Sequence, residues 1–194
     1  MFERVKRLNY KTVKNNLVVA VFDKENSLEQ LDQALDGYVV KAQKKGLIST
    51  KVGNVTEIHG LNLLRAEKIL FVGMGKTNDV TRDSLRKAFA SLAKKIDKND
   101  IIVMDTFKNK SLDLSLVAEV MAETIVINKY KFNQLKSKDN EQKEYYFKYN
   151  ATNILDDSFN RGRILGTSTN SARTLVNLPH NYMDAVKLAD YAVE

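Results

Sequence analysis

Between Lys68 and Ile96 an unbroken apolar run, Ile69, Leu70, Phe71 and Val72, enters a glycine-containing turn, Gly73, Met74, Gly75, Lys76 and Thr77, and a helical pattern then begins near Thr81. A strand that is apolar at successive rather than alternate positions is buried on both faces, the habit of a sheet sandwiched between helices. Past the turn, Leu85, Ala88, Phe89, Leu92, Ala93 and Ile96 recur at three- and four-residue steps and form one apolar stripe. The stretch predicts a βα unit within an α/β fold. It leaves open whether Gly73 to Thr77 holds a phosphate or only turns the chain.

The rest of the chain repeats this alternation. Leu17 to Phe22 is a second continuous apolar run and predicts a buried strand. Ser27, with Gln30 three residues on, has the spacing of a capping box, and Leu28, Leu31, Leu35, Val39 and Ala42 supply the stripe of one helix that Gly46 ends. Val52 to Ile58 reads as a strand leading into the central one through a turn at Gly60. Ile101, Ile102, Val103 and Met104, within Asp100 to Asp105, make a fourth run, and a helix follows from about Asp113 with Val117, Val120, Met121, Thr124, Ile125 and Asn128 on one face. Lys136 to Lys143 is polar and reads as an exposed loop; Tyr145, Tyr146, Phe147 and Tyr149 read as the last strand. From Ser158 the spacing predicts a long helix with Ile164, Leu165, Ser168, Ser171, Ala172, Leu175 and Val176 on a narrow inward side, ending at Pro179. A further helical pattern (Met183, Val186, Leu188, Ala189, Ala192) begins after Asn181 and stops with the chain at Glu194, as a truncated helix would.

Composition narrows the chemistry. With no cysteine the chain has no disulfide, thiolate metal site or cysteine nucleophile, and His59 and His180 are far apart in sequence. The formal charge of +7 could attract polyanions, but the basic residues run from Arg4 to Lys187, and their densest zone, Lys129 to Lys148, also holds Asp139, Glu141 and Glu144. Diffuse charge of this kind describes a solvated surface and argues against a nucleic-acid partner. Aromatics beside Lys143 and Lys148 could stack on bases, yet they equally suit a half-buried strand, and packing is the preferred reading. No apolar stretch is long enough to span a bilayer, and Met1 to Arg7 lack a signal peptide's apolar core, so no membrane partner and a cytoplasmic location are expected.

Active-site patterns fail one by one. A phosphate-binding loop ending in Gly75, Lys76 and Thr77 needs a glycine where Leu70 stands, and a dinucleotide fingerprint needs one where Asn78 stands. The glycines are therefore read as turn residues supplying positive φ or close backbone approach. Gly166 to Asn170 imitates a nucleophile elbow but lacks its second glycine and lies in a helix. Asp156 and Asp157 are neighbours that point apart, Asp32 and Asp36 make a solvated helical pair, and His59 and His180 read as turn and helix-exit residues. No catalytic, cofactor-binding or metal residue is assigned.

The stretch Ala172, Arg173, Thr174, Leu175, Val176, Asn177, Leu178, Pro179, His180, Asn181 resembles the segment Ala-Arg-Asp-Leu-Val-Asn-Thr-Pro-Pro-Asn by which leucyl (cytosol) aminopeptidases pass from their N-terminal to their catalytic domain. Ile69 to Lys76 is similar to that family's strand ending in Val-Gly-Leu-Gly-Lys, and Glu123, Tyr130, Phe132 and Lys136 fit its Glu-Gly helix followed by Tyr-x-Phe, with Thr124 in place of the glycine. The resemblance implies a macro-like three-layer domain, with a mixed, mostly parallel sheet flanked by helices, over residues 1–157. A long linker helix and the start of a truncated catalytic domain would occupy 158–194. It implies an enzyme that removes N-terminal residues from peptides, works as a hexamer and uses two divalent metals, zinc or manganese. The metal ligands and catalytic groups would lie beyond Glu194. This chain would hold no cofactor, would be inactive alone, would have its own catalytic domain as a partner, and would serve oligomerisation and access to the active sites. Two rival readings are a macro-like module holding a nucleotide or ADP-ribose near Gly73 to Thr77, and a basic nucleic-acid-binding domain.

Overall fold

The computed structural model describes residues 2–24, 27–59, 64–133, 135 and 146–193. Its centre is β2 (Asn16–Phe22), buried along its whole length. Parallel neighbours flank it, β4 (Lys68–Gly75) on one side and β5 (Asp100–Val103) on the other. Beyond β5 lie β6 (Phe147–Asn150) and β1 (Phe2–Arg4), both parallel; beyond β4 lies β3 (Val55–His59), antiparallel. The resulting six-stranded sheet, in the order β1-β6-β5-β2-β4-β3, is the mixed, mostly parallel sheet that the continuous apolar runs require.

Side-chain alternation along β2 divides the core into two layers. Val18, Ala20 and Phe22 pack with residues of α3 (Arg82–Ala93), α4 (Leu114–Lys129) and α5 (Asp156–Asn177). Leu17, Val19 and Val21 pack with α1 (Glu29–Ala34), α2 (Tyr38–Lys44) and the segment leading from β1. Each fully buried Val, Leu or Phe contributes about 1.5–3 kcal/mol over leaving it exposed, so a strand buried on both faces anchors the three layers at once. The helix starts read at Thr81 and Asp113 are both capped. Thr81 and Ser84 exchange side-chain to backbone hydrogen bonds at 3.2 and 2.9 Å, and the Asp113 carboxylate accepts from the Ser115 amide at 3.2 Å.

Several local readings need correction. The single helix expected from Ser27 to Gly46 is two, because Asp36 (φ 50°) and Gly37 (φ 75°) adopt left-handed backbone between α1 and α2. The Gly37 amide donates to the Asp32 carbonyl at 2.8 Å, and the Asp32 carboxylate accepts from Val40 N at 3.2 Å. Asp32 and Asp36 therefore do not share a helical face. Nor does a capping box form at Ser27 and Gln30: α1 starts after Leu28 with no side-chain cap. Gly46, at φ 72°, follows the end of α2 as read. β5 stops at Val103, short of Met104, because the Thr106 hydroxyl donates to Val103 O at 2.6 Å and accepts from Ala20 N at 2.9 Å, taking the next ladder position on β2. The chain turns there through a 3₁₀ segment, Met104–Phe107. β1 carries too few apolar residues to have been read as a strand. Asn128 is exposed rather than on the buried face of α4, its amide donating to Thr124 O at 2.8 Å. Phe147 and Tyr149 are buried, which bears out packing over base stacking for them. The loop Lys136 to Lys143, Tyr145 and the Gly60 turn lie outside the described residues.

The largest correction concerns α5. Its buried residues are Ser158, Phe159, Gly162 and Gly166, whereas Ile164, Leu165 and Val176 are exposed. A Cβ on Gly162 would run into the Glu119 carbonyl oxygen and stand 2.9 Å from Ala122 Cβ, and one on Gly166 would stand 2.8 Å from Val126 Cβ. α4 and α5 thus meet backbone to backbone, and glycine is what allows it. Asn170 and Thr174 continue the row at four-residue steps, partly buried.

Candidate functional site

The turn at the end of β4 was the first candidate, and the structure commits its polar groups elsewhere. β4 runs on through Gly73 to Gly75. Gly73 lies directly under the backbone of residues 49–51, where a Cβ would strike Lys51 O, and its amide donates to Asn54 O at 2.8 Å. Gly75 takes φ +73°, and its amide donates to Thr50 O at 2.7 Å. The Thr77 hydroxyl donates to Lys24 O at 3.2 Å, and Lys76 is exposed. Close approach at Gly73 and positive φ at Gly75 are the two roles read for these glycines. The two glycine amides that would have to cradle a phosphate are bonded to the segment 49–54.

The isolated candidates stay isolated. His59 is exposed at the end of β3, its Nε2 2.9 Å from Glu57 Oε1, which also faces Lys68 Nζ at 3.4 Å. Burial pushes the Glu57 carboxyl up, but Lys68, His59 and Lys95 together hold it below its ordinary value. His180 is exposed beyond the end of α5. Asp156 accepts from the Tyr149 hydroxyl at 2.6 Å, and that hydroxyl accepts in turn from Leu155 N at 3.1 Å, so this carboxylate ties β6 to the start of α5. Among the described residues no three His, Cys, Asp or Glu side chains are grouped as metal ligands would be. Within the same residues no helix is long and apolar enough to cross a membrane.

A crevice of about 390 Å³ opens at the carboxyl ends of β5 and β6, with Lys6, Tyr10, Asp105, Lys108, Asn150 and Thr152 in its walls. Connections leave β2 and β5 in opposite directions here, the place where open α/β sheets tend to hold ligands. The half-buried acid in its wall, Asp105, is engaged. Asp105 Oδ2 accepts from Thr152 N at 2.8 Å and Thr152 Oγ1 at 2.7 Å, and Oδ1 lies 3.0 Å from Lys108 Nζ. Burial raises the Asp105 carboxyl, but Thr152 and Lys108 outweigh it and hold it below the usual value. Tyr10 is pushed up by burial and then by the Asp105 charge. This arrangement tethers the turn before α5 to the end of β5; it provides no free base.

The motif at Ala172 to Asn181 spans the last turns of α5 and the chain beyond it. Its polar side chains meet the end of α4: Arg173 Nη1 donates to Ile127 O at 2.9 Å, and the Tyr130 and Thr174 hydroxyls lie 2.9 Å apart. Past it, α6 (Ala185–Val193) buries none of its residues, leaving Val186, Leu188 and Tyr191 exposed. What sequence reasoning missed is the inner face of α5, and the readable signal was Gly162 and Gly166 four residues apart.

Three comparisons bear on this geometry. The N-terminal domain of the cytosol aminopeptidase family matches residues 18–139. The bottromycin maturation enzyme BotP is similar in structure, with a TM-score of 0.66 and 17% identity over 91% of this chain and 36% of that one. A mutant tomato leucine aminopeptidase is similar with a TM-score of 0.68 and 15% identity, over 98% of this chain and 41% of that one. At such identities the likeness is one of fold, and the chain spans well under half the length of either protein.

Proposed function

Since the chain belongs to the cytosol aminopeptidase family, as its N-terminal domain, we propose that it is the non-catalytic part of a leucyl aminopeptidase that removes N-terminal amino acids from peptides. The match over residues 18–139 carries this reading. Residues 1–157 form the macro-like α/β domain of the proposal, and 158–194 are the linker helix and the start of the catalytic domain. The peptidase chemistry rests on two divalent metals, zinc or manganese, held outside this chain. In support, BotP, which shares the fold, has a structure described as a complex with Mn. Metals of this kind supply a polarised carbonyl and an activated water when bound.

The N-terminal domain itself serves subunit association, in a cytoplasmic hexamer, and shapes access to the active sites. Exposed Val176, Val186, Leu188 and Tyr191 supply apolar surface for the chain's own catalytic domain to cover. The test is an assay of leucine p-nitroanilide hydrolysis with added manganese or zinc. Residues 1–194 should give no turnover above the blank, and the polypeptide extended through the following reading frame should turn over and lose activity to a chelator. Metal-dependent hydrolysis by residues 1–194 alone would overturn the reading, as would an extension without an acidic, lysine-containing region.

A further inference from the structure

α4 stops at Lys129, so the carbonyls of its last turn lack the usual helical partners, and the amide of the capping residue Tyr130 reaches Ile127 O only at 3.4 Å. Side chains of α5 supply what is missing. Asn170 Nδ2 donates to Val126 O at 3.0 Å, and Arg173 Nη1 donates to Ile127 O at 2.9 Å and to Asn170 Oδ1 at 3.1 Å. The Arg173 guanidinium lies over the Tyr130 ring, its carbon 4.3 Å from the centroid, which places a cation at the negative end of α4 and on an aromatic face. The Thr174 hydroxyl donates its only hydrogen to Asn170 O at 2.9 Å, so in the contact with Tyr130 the tyrosine donates. Asn177 Nδ2 closes the group on the Tyr130 oxygen at 3.5 Å.

We propose that Asn170, Arg173, Thr174 and Asn177 form a latch that caps α4 from outside and fixes the direction in which α5 leaves the α/β body. Gly162 and Gly166 bring the two helices together but put no side chain between them, so they set the distance of α5 and leave its far end to be set elsewhere. The latch sets it, two turns further on. The stretch that carries the family resemblance thus has a mechanical role in this chain: Arg173, Thr174 and Asn177 are positioning residues. That they orient a catalytic domain rests on the function proposed above; that they hold the end of α5 does not.

Amide hydrogen exchange on the 194-residue chain tests the latch without any catalytic domain, so its failure is separate from failure of the aminopeptidase reading. Arg173→Met keeps the stem and removes the donors. It should speed exchange at residues 174–178 and at Tyr130 by at least about tenfold, the loss of one charge-assisted hydrogen bond. Residues 163–167, beside the glycine contact, should change by less than about twofold, since they open independently. Arg173→Lys, which keeps a cation over Tyr130 and one donor, should recover most of the protection. Tyr130→Phe, which keeps the ring but loses the bonds to Thr174 and Asn177, should loosen residues 174, 177 and 178, and by less than Arg173→Met does. Unchanged protection at 174–178 in Arg173→Met overturns the latch, and so does a loss spread evenly along α5.

Discussion

Gly162→Ala adds one methyl group where α5 meets α4. The new Cβ would drive into the Glu119 carbonyl oxygen and sit 2.9 Å from Ala122 Cβ. A backbone carbonyl inside a helix cannot swing aside as a side chain can. Restoring ordinary separations of about 3.5 Å means moving the helices apart by roughly an ångström. Overpacking of this kind costs about 1–3 kcal/mol. Replacing glycine in a helix interior returns about 0.5–1 kcal/mol through the unfolded chain. Parting the helices also stretches the Arg161 to Glu119 ion pair, now 3.1 Å, and the bond from Asn170 to Val126 O.

The net expectation is destabilisation by about 2 kcal/mol, which for a chain of this size lowers the melting temperature by about 4–8 °C. Ser168→Ala is the control: Ser168 is exposed in the same helix, and its change should stay within about 0.5 kcal/mol. Thermal melts followed by circular dichroism separate the two. If Gly162→Ala melts at or above the wild type, in step with Ser168→Ala, the helices are not in backbone contact and the packing argument fails.

Two predictions concern pH. Burial, and then the hydrogen bond to Asp156, push the Tyr149 hydroxyl up to about 12, so its contribution to stability is complete below pH ~10 and is lost between there and about 12. Tyr149→Phe should remove that share of the alkaline decline, leaving a part due to Tyr10, and should cost about 1–3 kcal/mol at neutral pH by stranding Leu155 N–H; urea titrations at pH 7 and pH 11 check both. Asp105 has the opposite sign, because its carboxyl is held low in the fold. Its stabilisation is present above about pH 3.9 and is lost as pH falls through the lower folded value. Asp105→Asn keeps an acceptor for Thr152 but gives up the charge facing Lys108, so it should lose about 1–3 kcal/mol at pH 7 and flatten the acid decline. An acid limb unchanged in this variant would show that other carboxylates set it.

The strands were legible because burial on both faces writes itself as an unbroken apolar run, and β2, β4 and β5 each carry one. α3 and α4 were legible because a capping residue stands before a stripe. The break between α1 and α2 was hidden for a physical reason: both short helices face the same core, so Leu31, Leu35, Val39 and Ala42 keep helical spacing across a turn that is not helical. α5 was misread because its contact with α4 is made by glycines, which add nothing to an apolar count. The apolar residues that do recur along it, Ile164, Leu165 and Val176, lie on the outside.

The candidate sites divide along the same line. Leu70 and Asn78 were enough to reject two phosphate motifs, but nothing local could show that the Gly73 and Gly75 amides would serve carbonyls of the segment 49–54. Those bonds are tertiary and depend on β3 returning antiparallel over β4. The end of α5 is different, since its partners on α4 are 44 and 46 residues away in sequence yet its own pattern is local. Asn170, Arg173, Thr174 and Asn177 recur at steps of three and four, as a buried stripe would, and two of them, Asn170 and Arg173, donate to carbonyls of α4. Helical periodicity counted in polar residues near a helix end is therefore as informative as the apolar kind. An apolar stripe needs a core to face, whereas a stripe of donors needs open carbonyls, and the end of another helix is where a folded chain has them.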